Sequence, residues 1–223
     1  MASAANGQTI SQNIVGYVNV DLSPGTNFIA NQFDNGQGNT LDTLFQLGET
    51  SSAIPEGTMF TELNPATGQF LPVSTYDTVN GWNINYTLTY GEGGVLITPT
   101  LFANTFLGTV SSAFNPTTDV FTPPLVTGSG LMLLSCVVPL DAETFYDVVG
   151  RNPQNGEWVT TLNPTTQVYS TTTFDDGAWN NGAPDLSVGE SALFDLDPVP
   201  EPSVACLGGA GLLALAWRRL RRV

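Results

Sequence analysis

Apolar residues in this chain recur mainly at every second position. In "YVNVDL" (17–22), Val18, Val20 and Leu22 fall on one face and Tyr17, Asn19 and Asp21 on the other. That is the period of a half-buried strand. "MFTELNPATGQFLPV" (59–73) predicts a hairpin, because Pro65 pre-sets φ at the first corner and Gly68 can take a positive φ. The same Asn-Pro turn chemistry returns in "FNPTTDVF" (114–121) and "LNPTTQVY" (162–169). Two triplets depart from alternation. Leu41, Leu44, Phe45 and Phe145, Val148, Val149 carry the i, i+3, i+4 spacing of a short amphipathic helical turn. Asn39 and Asp141 are their expected N-caps.

Self-comparison reveals a period of roughly 100 residues. Leu63-Asn64-Pro65 matches Leu162-Asn163-Pro164, Tyr76-Asp77 matches Phe174-Asp175, and Trp82-Asn83 matches Trp179-Asn180. "YGEGGVLI" (90–97) pairs with "VGESALF" (188–194), and the two helical triplets correspond. The expected fold is therefore all-β, a β-sandwich or barrel-like, built from two homologous β-rich units of about 90 residues with one short helical turn each. Unit 1 spans 17–104 and unit 2 spans 105–197, after a residual export or linker segment at 1–16 and before a tail at 198–223. Units this small are expected to pack through a shared interface.

Composition agrees with a β protein whose surface is polar but uncharged. Glycine (23) and proline (15) are plentiful, while charged residues make up only 11% against 41% hydrophobic ones. Residues 1–198 hold nineteen acids against a single base, Arg151, for a net −18. Such a body repels nucleic acid and anionic lipid, so nucleic acid is excluded as a partner. The two cysteines, Cys136 and Cys206, lie in unlike apolar surroundings and are not expected to pair.

With no histidine and no lysine, the usual nucleophile–base, histidine–metal and phosphate-clamp arrangements are absent. Carboxylate chemistry stays open, and Glu92 and Glu190 are the candidates for a glycosidase pair. Their equivalence across the repeat favours a structural role instead, a glutamate accepting turn N–H bonds that was duplicated with the scaffold. No cofactor is expected. Calcium is the one candidate ion, at Asp34-Asn35…Asn39…Asp42, Asp141…Glu143…Asp147, Asp175-Asp176 or Asp195-Leu196-Asp197, although none follows an EF-hand or nonapeptide pattern. Trp82 and Trp179, with Tyr76 and Phe174, would make a sugar-stacking platform in each unit; the competing reading is core packing.

The C-terminus is of another kind. The 14 residues from Val204 to Trp217 carry no charge, short of the ~18–20 of a comfortable span, and Pro202 and Ser203 lengthen the run slightly. Four of the five basic residues, Arg218, Arg219, Arg221 and Arg222, follow at once. A transmembrane helix with Trp217 at the interface and the arginines in the cytoplasm satisfies the positive-inside rule. Directly before it stand Pro200, Glu201 and Pro202.

Pro-Glu-Pro, an apolar segment and an arginine cluster, in that order over about 25 residues, resemble the tripartite tail of PEP-CTERM proteins. The resemblance implies that a membrane-embedded exosortase-type peptidase reads the tail, cuts near the motif and passes the body to the cell surface or exterior of a Gram-negative, polysaccharide-producing bacterium. The body looks like a group of exported PEP-CTERM proteins of Verrucomicrobia type through "GYVNV", "NTLDTLF", an Asn-Pro turn before a tryptophan, and "GEG" before a final strand. That likeness implies localisation and fold class and no activity. Export also needs a signal peptide, which "MASAANGQTISQ" does not supply; Ala2-Ser3-Ala4 reads as a trimmed cleavage site, so the true start is expected upstream. The leading expectation is a non-enzymatic surface or matrix protein associated with exopolysaccharide, held transiently at the inner membrane. A carbohydrate-binding module for extracellular polysaccharide is the alternative, and a carboxylate-based glycosidase the third.

Overall fold

The computed structural model describes residues 15–45, 53–115, 117–118 and 120–199. The tail from Pro200 to Val223, with its predicted membrane helix, lies outside them. Among the described residues no helix is long and apolar enough to cross a membrane.

Antiparallel strands make up almost all of the fold. The first half contains β1 (Val15–Leu22), β2 (Gly25–Ala30), β3 (Phe33–Asp34), the helical turn α1 (Leu41–Leu44), β4 (Met59–Asn64), β5 (Gln69–Phe70), β6 (Ser74–Asp77), β7 (Gly81–Trp82), β8 (Gly93–Thr98) and β9 (Phe102–Val110). The small hairpin β10 (Phe114–Asn115) and β11 (Val120–Phe121) leads into the second half. There follow β12 (Gly130–Leu134), β13 (Glu143–Thr144), the helical turn α2 (Phe145–Val149) and β14 (Trp158–Asn163). β15 (Val168–Asp175), β16 (Ala178–Trp179), β17 (Asp185–Leu186) and β18 (Ala192–Leu196) complete the chain's described strands.

The period seen in the sequence is also a period in the pairing. One sheet runs β2-β8-β4-β6-β7 and the other β12-β18-β14-β15-β16, the same order built from equivalent strands. Leu63 pairs with Phe70 as Leu162 pairs with Tyr169, across turns whose corner residues, Gly68 (φ 64°) and Gln167 (φ 58°), are both left-handed. Gln167 tolerates that conformation while its side chain clamps the other half: Oε1 accepts from Thr26 N at 2.7 Å and Nε2 donates to Thr26 O at 2.9 Å. The first half interrupts the long strand at Leu71–Val73, where Pro72 has no N–H for a ladder.

The two sheets stack in a sandwich-like arrangement. Leu63, Val95 and Leu133, with Phe28, Leu131 and Leu193, form the layer between them. Contacts at the seam are reciprocal. Ala30 N donates to Gly189 O at 3.0 Å and Ser135 N to Gly91 O at 2.9 Å, while Ile29 bridges to Glu190 and Leu134 to Glu92. Each sheet has a further core on its outer side. A third sheet, β1-β9-β3, covers that of the first half around Phe33, Phe60 and Phe106, and β10 and β11 help cover that of the second around Phe145, Val159 and Phe194. β9 is one continuous strand, Phe102–Val110, paired with β1 along Val15–Leu22.

Both helical triplets are buried as their spacing requires. Their N-caps differ from expectation by one to three residues: Thr40 and Thr144 hold those positions. At Thr144 a capping box with Asp147 explains the preference over Asp141, since the hydroxyl accepts from the Asp147 N–H and the carboxylate reaches back to the cap.

Candidate functional site

Pro200, Glu201, Pro202, Trp217, Arg218, Arg219, Arg221 and Arg222, the residues expected to carry sorting and membrane orientation, lie outside the described residues. The tryptophans do not. Trp82 is only 6% exposed, enclosed by Phe45, Phe60 and Tyr76 with ring centroids 5.4–6.4 Å away. Its ring is covered by the core, which fits the core-packing reading of Trp82. Trp179 packs in the equivalent place against Phe174 (5.3 Å) and Phe145 (5.6 Å) and is half-buried.

Glu92 and Glu190 line different clefts. Each follows a glycine at the seam and accepts hydrogen bonds from its own turn. Glu92 Oε2 takes Thr89 N at 2.8 Å and Thr89 Oγ1 at 2.9 Å, and Glu190 Oε2 takes Ser187 N at 3.1 Å. They line two separate clefts that the repeat relates to one another. The first, about 200 Å³, is bordered by Leu63, Pro65, Tyr90, Glu92 and Met132. The second, about 40 Å³, is bordered by Leu162, Pro164, Glu190 and Asn27, and Val20 and Leu22 of β1 narrow it. The repeat thus carries one turn-bonded glutamate in each half.

The acidic clusters also resolve into local structure. Asp34 accepts from Gly36 N, Asp42 from the Asn85 amide, and Asp175 from Asp176 N. Among the described residues no three acids or cysteines converge as a metal site. The Asp34 bond is that of an Asx turn.

Two carboxyls depart from this. Burial, with the Glu92 charge adding to it, pushes Glu62 from 4.5 up to about 7. Its Oε2 is buried without a hydrogen-bond partner among the described residues. Glu143 is fully buried and is also pushed up to about 7 by burial, against the opposing pull of its hydrogen bonds. Its Oε2 accepts from Ser135 Oγ and Cys136 N, both at 3.0 Å, and its Oε1 accepts from Gln32 Nε2. Gln32 Nε2 also reaches Ser135 Oγ (3.3 Å) and Cys136 O (3.2 Å), while its Oε1 accepts from Gly189 N at 3.0 Å. Sequence reasoning placed Glu143 in a candidate calcium cluster with Asp141 and Asp147 and did not single out Gln32 or Ser135. The available signal was the failure of the repeat: by strand register Ser135 stands opposite Ala30, Gln32 opposite Val137, and Glu143 opposite Asn39. This polar centre therefore occurs once, although the strands on either side of it are repeated. No protein-family model, curated protein or solved structure matches the chain.

A pH dependence follows from the two raised carboxyls. Both bind protons more tightly in the folded chain, so the stability they lend is complete below the ordinary 4.5 and is lost as pH rises through about 7. Asp77 and Glu157 are held below their ordinary values, and their contribution is lost only in stronger acid. Thermal melts are expected to give a higher Tm near about pH 5 than near about pH 8. A Tm that rises steadily between those values contradicts the assignment, and Glu143→Gln should flatten the curve.

Proposed function

We propose that this chain is an exported, non-enzymatic surface or extracellular-matrix protein delivered through its tail by an exosortase-type peptidase. The observation that carries the reading is the tail's order and spacing: Pro200-Glu201-Pro202, an uncharged run to Trp217, then four arginines within the last six positions. The fold is compatible with such a cut. β18 ends at Leu196, so cleavage at or beyond Pro200 removes no strand. The product carries one cation against nineteen acids and stays in solution near anionic envelope surfaces. Two stacked sheets, read as a β-sandwich, suit a passive matrix component, and the turn bonds of Glu92 and Glu190 and the burial of Trp82 support that reading over sugar binding or glycoside hydrolysis.

The test is the intact mass of the protein recovered from the medium of its native host. Loss of about 20–25 C-terminal residues is expected. A full-length chain confined to membranes overturns the proposal in favour of a plain anchor.

A further inference from the structure

We propose that Ser135 and Gln32 condense into an intramolecular ester that ties the two halves of the chain together, with release of ammonia. The centre has the parts such a reaction needs, within hydrogen-bond reach of one another and sealed from water. Gln32, Ser135 and Glu143 are 1%, 2% and 0% exposed. Ser135 Oγ lies 3.3 Å from the carboxamide nitrogen of Gln32 and donates to Glu143 Oε2 at 3.0 Å, which places a base on the nucleophile. The Gly189 N–H points at Gln32 Oε1 from 3.0 Å, where negative charge develops when the carbonyl carbon is attacked. Glu143 touches both reacting groups, its other oxygen accepting from Gln32 Nε2.

The steps balance. Glu143 Oε2 takes the Ser135 proton as Oγ bonds to Gln32 Cδ, giving a tetrahedral oxyanion held by Gly189 N–H. The protonated carboxyl returns that proton to Nε2, the Cδ–N bond breaks, and ammonia leaves. The carbonyl re-forms as an ester and the carboxylate is regenerated; nothing is oxidised or reduced. A carboxyl raised to about 7 by burial suits a group that must accept a proton and give it back near neutral pH. The neighbouring Cys136 is a poorer nucleophile, since burial pushes its thiol up to about 12 and Gln32 faces its carbonyl oxygen.

Other covalent staples are closed to this body. It has no lysine for an amide cross-link, and Cys136 is the one cysteine among the described residues. The ester would join positions 103 apart in sequence, from the end of the first half's β2 to the loop after β12. Cross-links that close long loops constrain the unfolded chain most.

The test uses the full chain, purified and held for days at about neutral pH, then analysed by intact mass and by peptic peptide mapping. The expected protein is lighter by one ammonia and yields a branched peptide containing both Gln32 and Ser135, which mild alkali splits. Ser135→Ala and Glu143→Gln should lose the branched peptide, and Ser135→Thr should keep it. Ser135→Ala removes only one oxygen, so it serves if Glu143→Gln fails to fold. Recovery of Gln32 and Ser135 in separate, unmodified peptides overturns the proposal. So does a loss of ammonia that persists in Ser135→Ala, which would come from Asn-Gly succinimides, or conversion of Gln32 to glutamate without a branch.

Discussion

Arg151→Met is expected to lower the stability of the body by about 3–5 kcal/mol, as when one partner of a buried ion pair is removed. Arg151 is the body's single cation and it is committed to structure. Its guanidinium donates to Glu157 through both terminal nitrogens, at 2.9 and 2.5 Å, and to Asp197 O at 3.2 Å. Glu157 is 1% exposed and also accepts from Gln154 N at 2.7 Å and Asp197 N at 2.8 Å. Burial alone would push its carboxyl up; the Arg151 hydrogen bond and these backbone donors outweigh burial and hold it below the ordinary value. Methionine keeps the apolar stem but strands the carboxylate. The double variant Arg151→Met, Glu157→Gln should recover much of the loss, because the remaining group is neutral. Urea unfolding followed by tryptophan fluorescence measures both. Equal losses in the single and double variants would mean that the damage is to packing, not to charge. Arg151→Lys should also be weaker than the parent, since an ammonium cannot reproduce the two-pronged contact. This clamp holds Asp197 just beyond the last described strand, so the end of the body next to Pro200 depends on it.

The sequence made some parts of the fold readable and concealed others, for physical reasons. Alternation disclosed β1, and the Asn-Pro corners disclosed three hairpins, because both signals are local: one residue's φ and one face of one strand. The helical triplets were equally plain. The N-caps were missed because Asn39 and Asp141 are better cap formers than Thr40 and Thr144 by type, and only the geometry of the entering chain selects among neighbours. Trp82 stayed open between a ligand platform and core packing because an aromatic beside a turn is ambiguous until Phe45 and Phe60, distant in sequence, are seen against it. Glu143 was hidden more thoroughly. Its three donors come from Gln32, Ser135 and Cys136, and nothing in a carboxylate's sequence neighbours announces a partner more than a hundred residues away. The repeat offered the indirect route. Where two copies of a scaffold agree, the residue serves the scaffold; where they differ in polarity at a buried seam, it serves something the scaffold does not require.

That comparison also yields a quantitative expectation. Gly94→Ala, a single methyl, should cost about 1–3 kcal/mol through overpacking. A Cβ built on Gly94 would lie 2.2 Å from both Cε2 and Cζ of Phe60, whose ring passes over the glycine backbone and is itself 1% exposed. At the equivalent place in the second half the residues are Ala192 and Val159, both fully buried. Strand register makes the correspondence firm, since Phe60 pairs with Leu96 as Val159 pairs with Phe194. Each half therefore fills the same space differently, one with a ring over a glycine and the other with a smaller branched side chain over an alanine. Phe60→Val alone should open a cavity and cost about 2–4 kcal/mol, because Trp82 and Tyr86 lose their ring contact. The double variant Gly94→Ala, Phe60→Val transplants the second half's solution into the first and should be more stable than the sum of the single losses implies. A double-mutant cycle in urea measures the coupling. Strict additivity would show that the two halves reach the same sheet order without sharing a rule for filling it. A coupling that offsets most of the Gly94→Ala loss would show that the packing code, like the strand order, was copied and then adjusted in pairs.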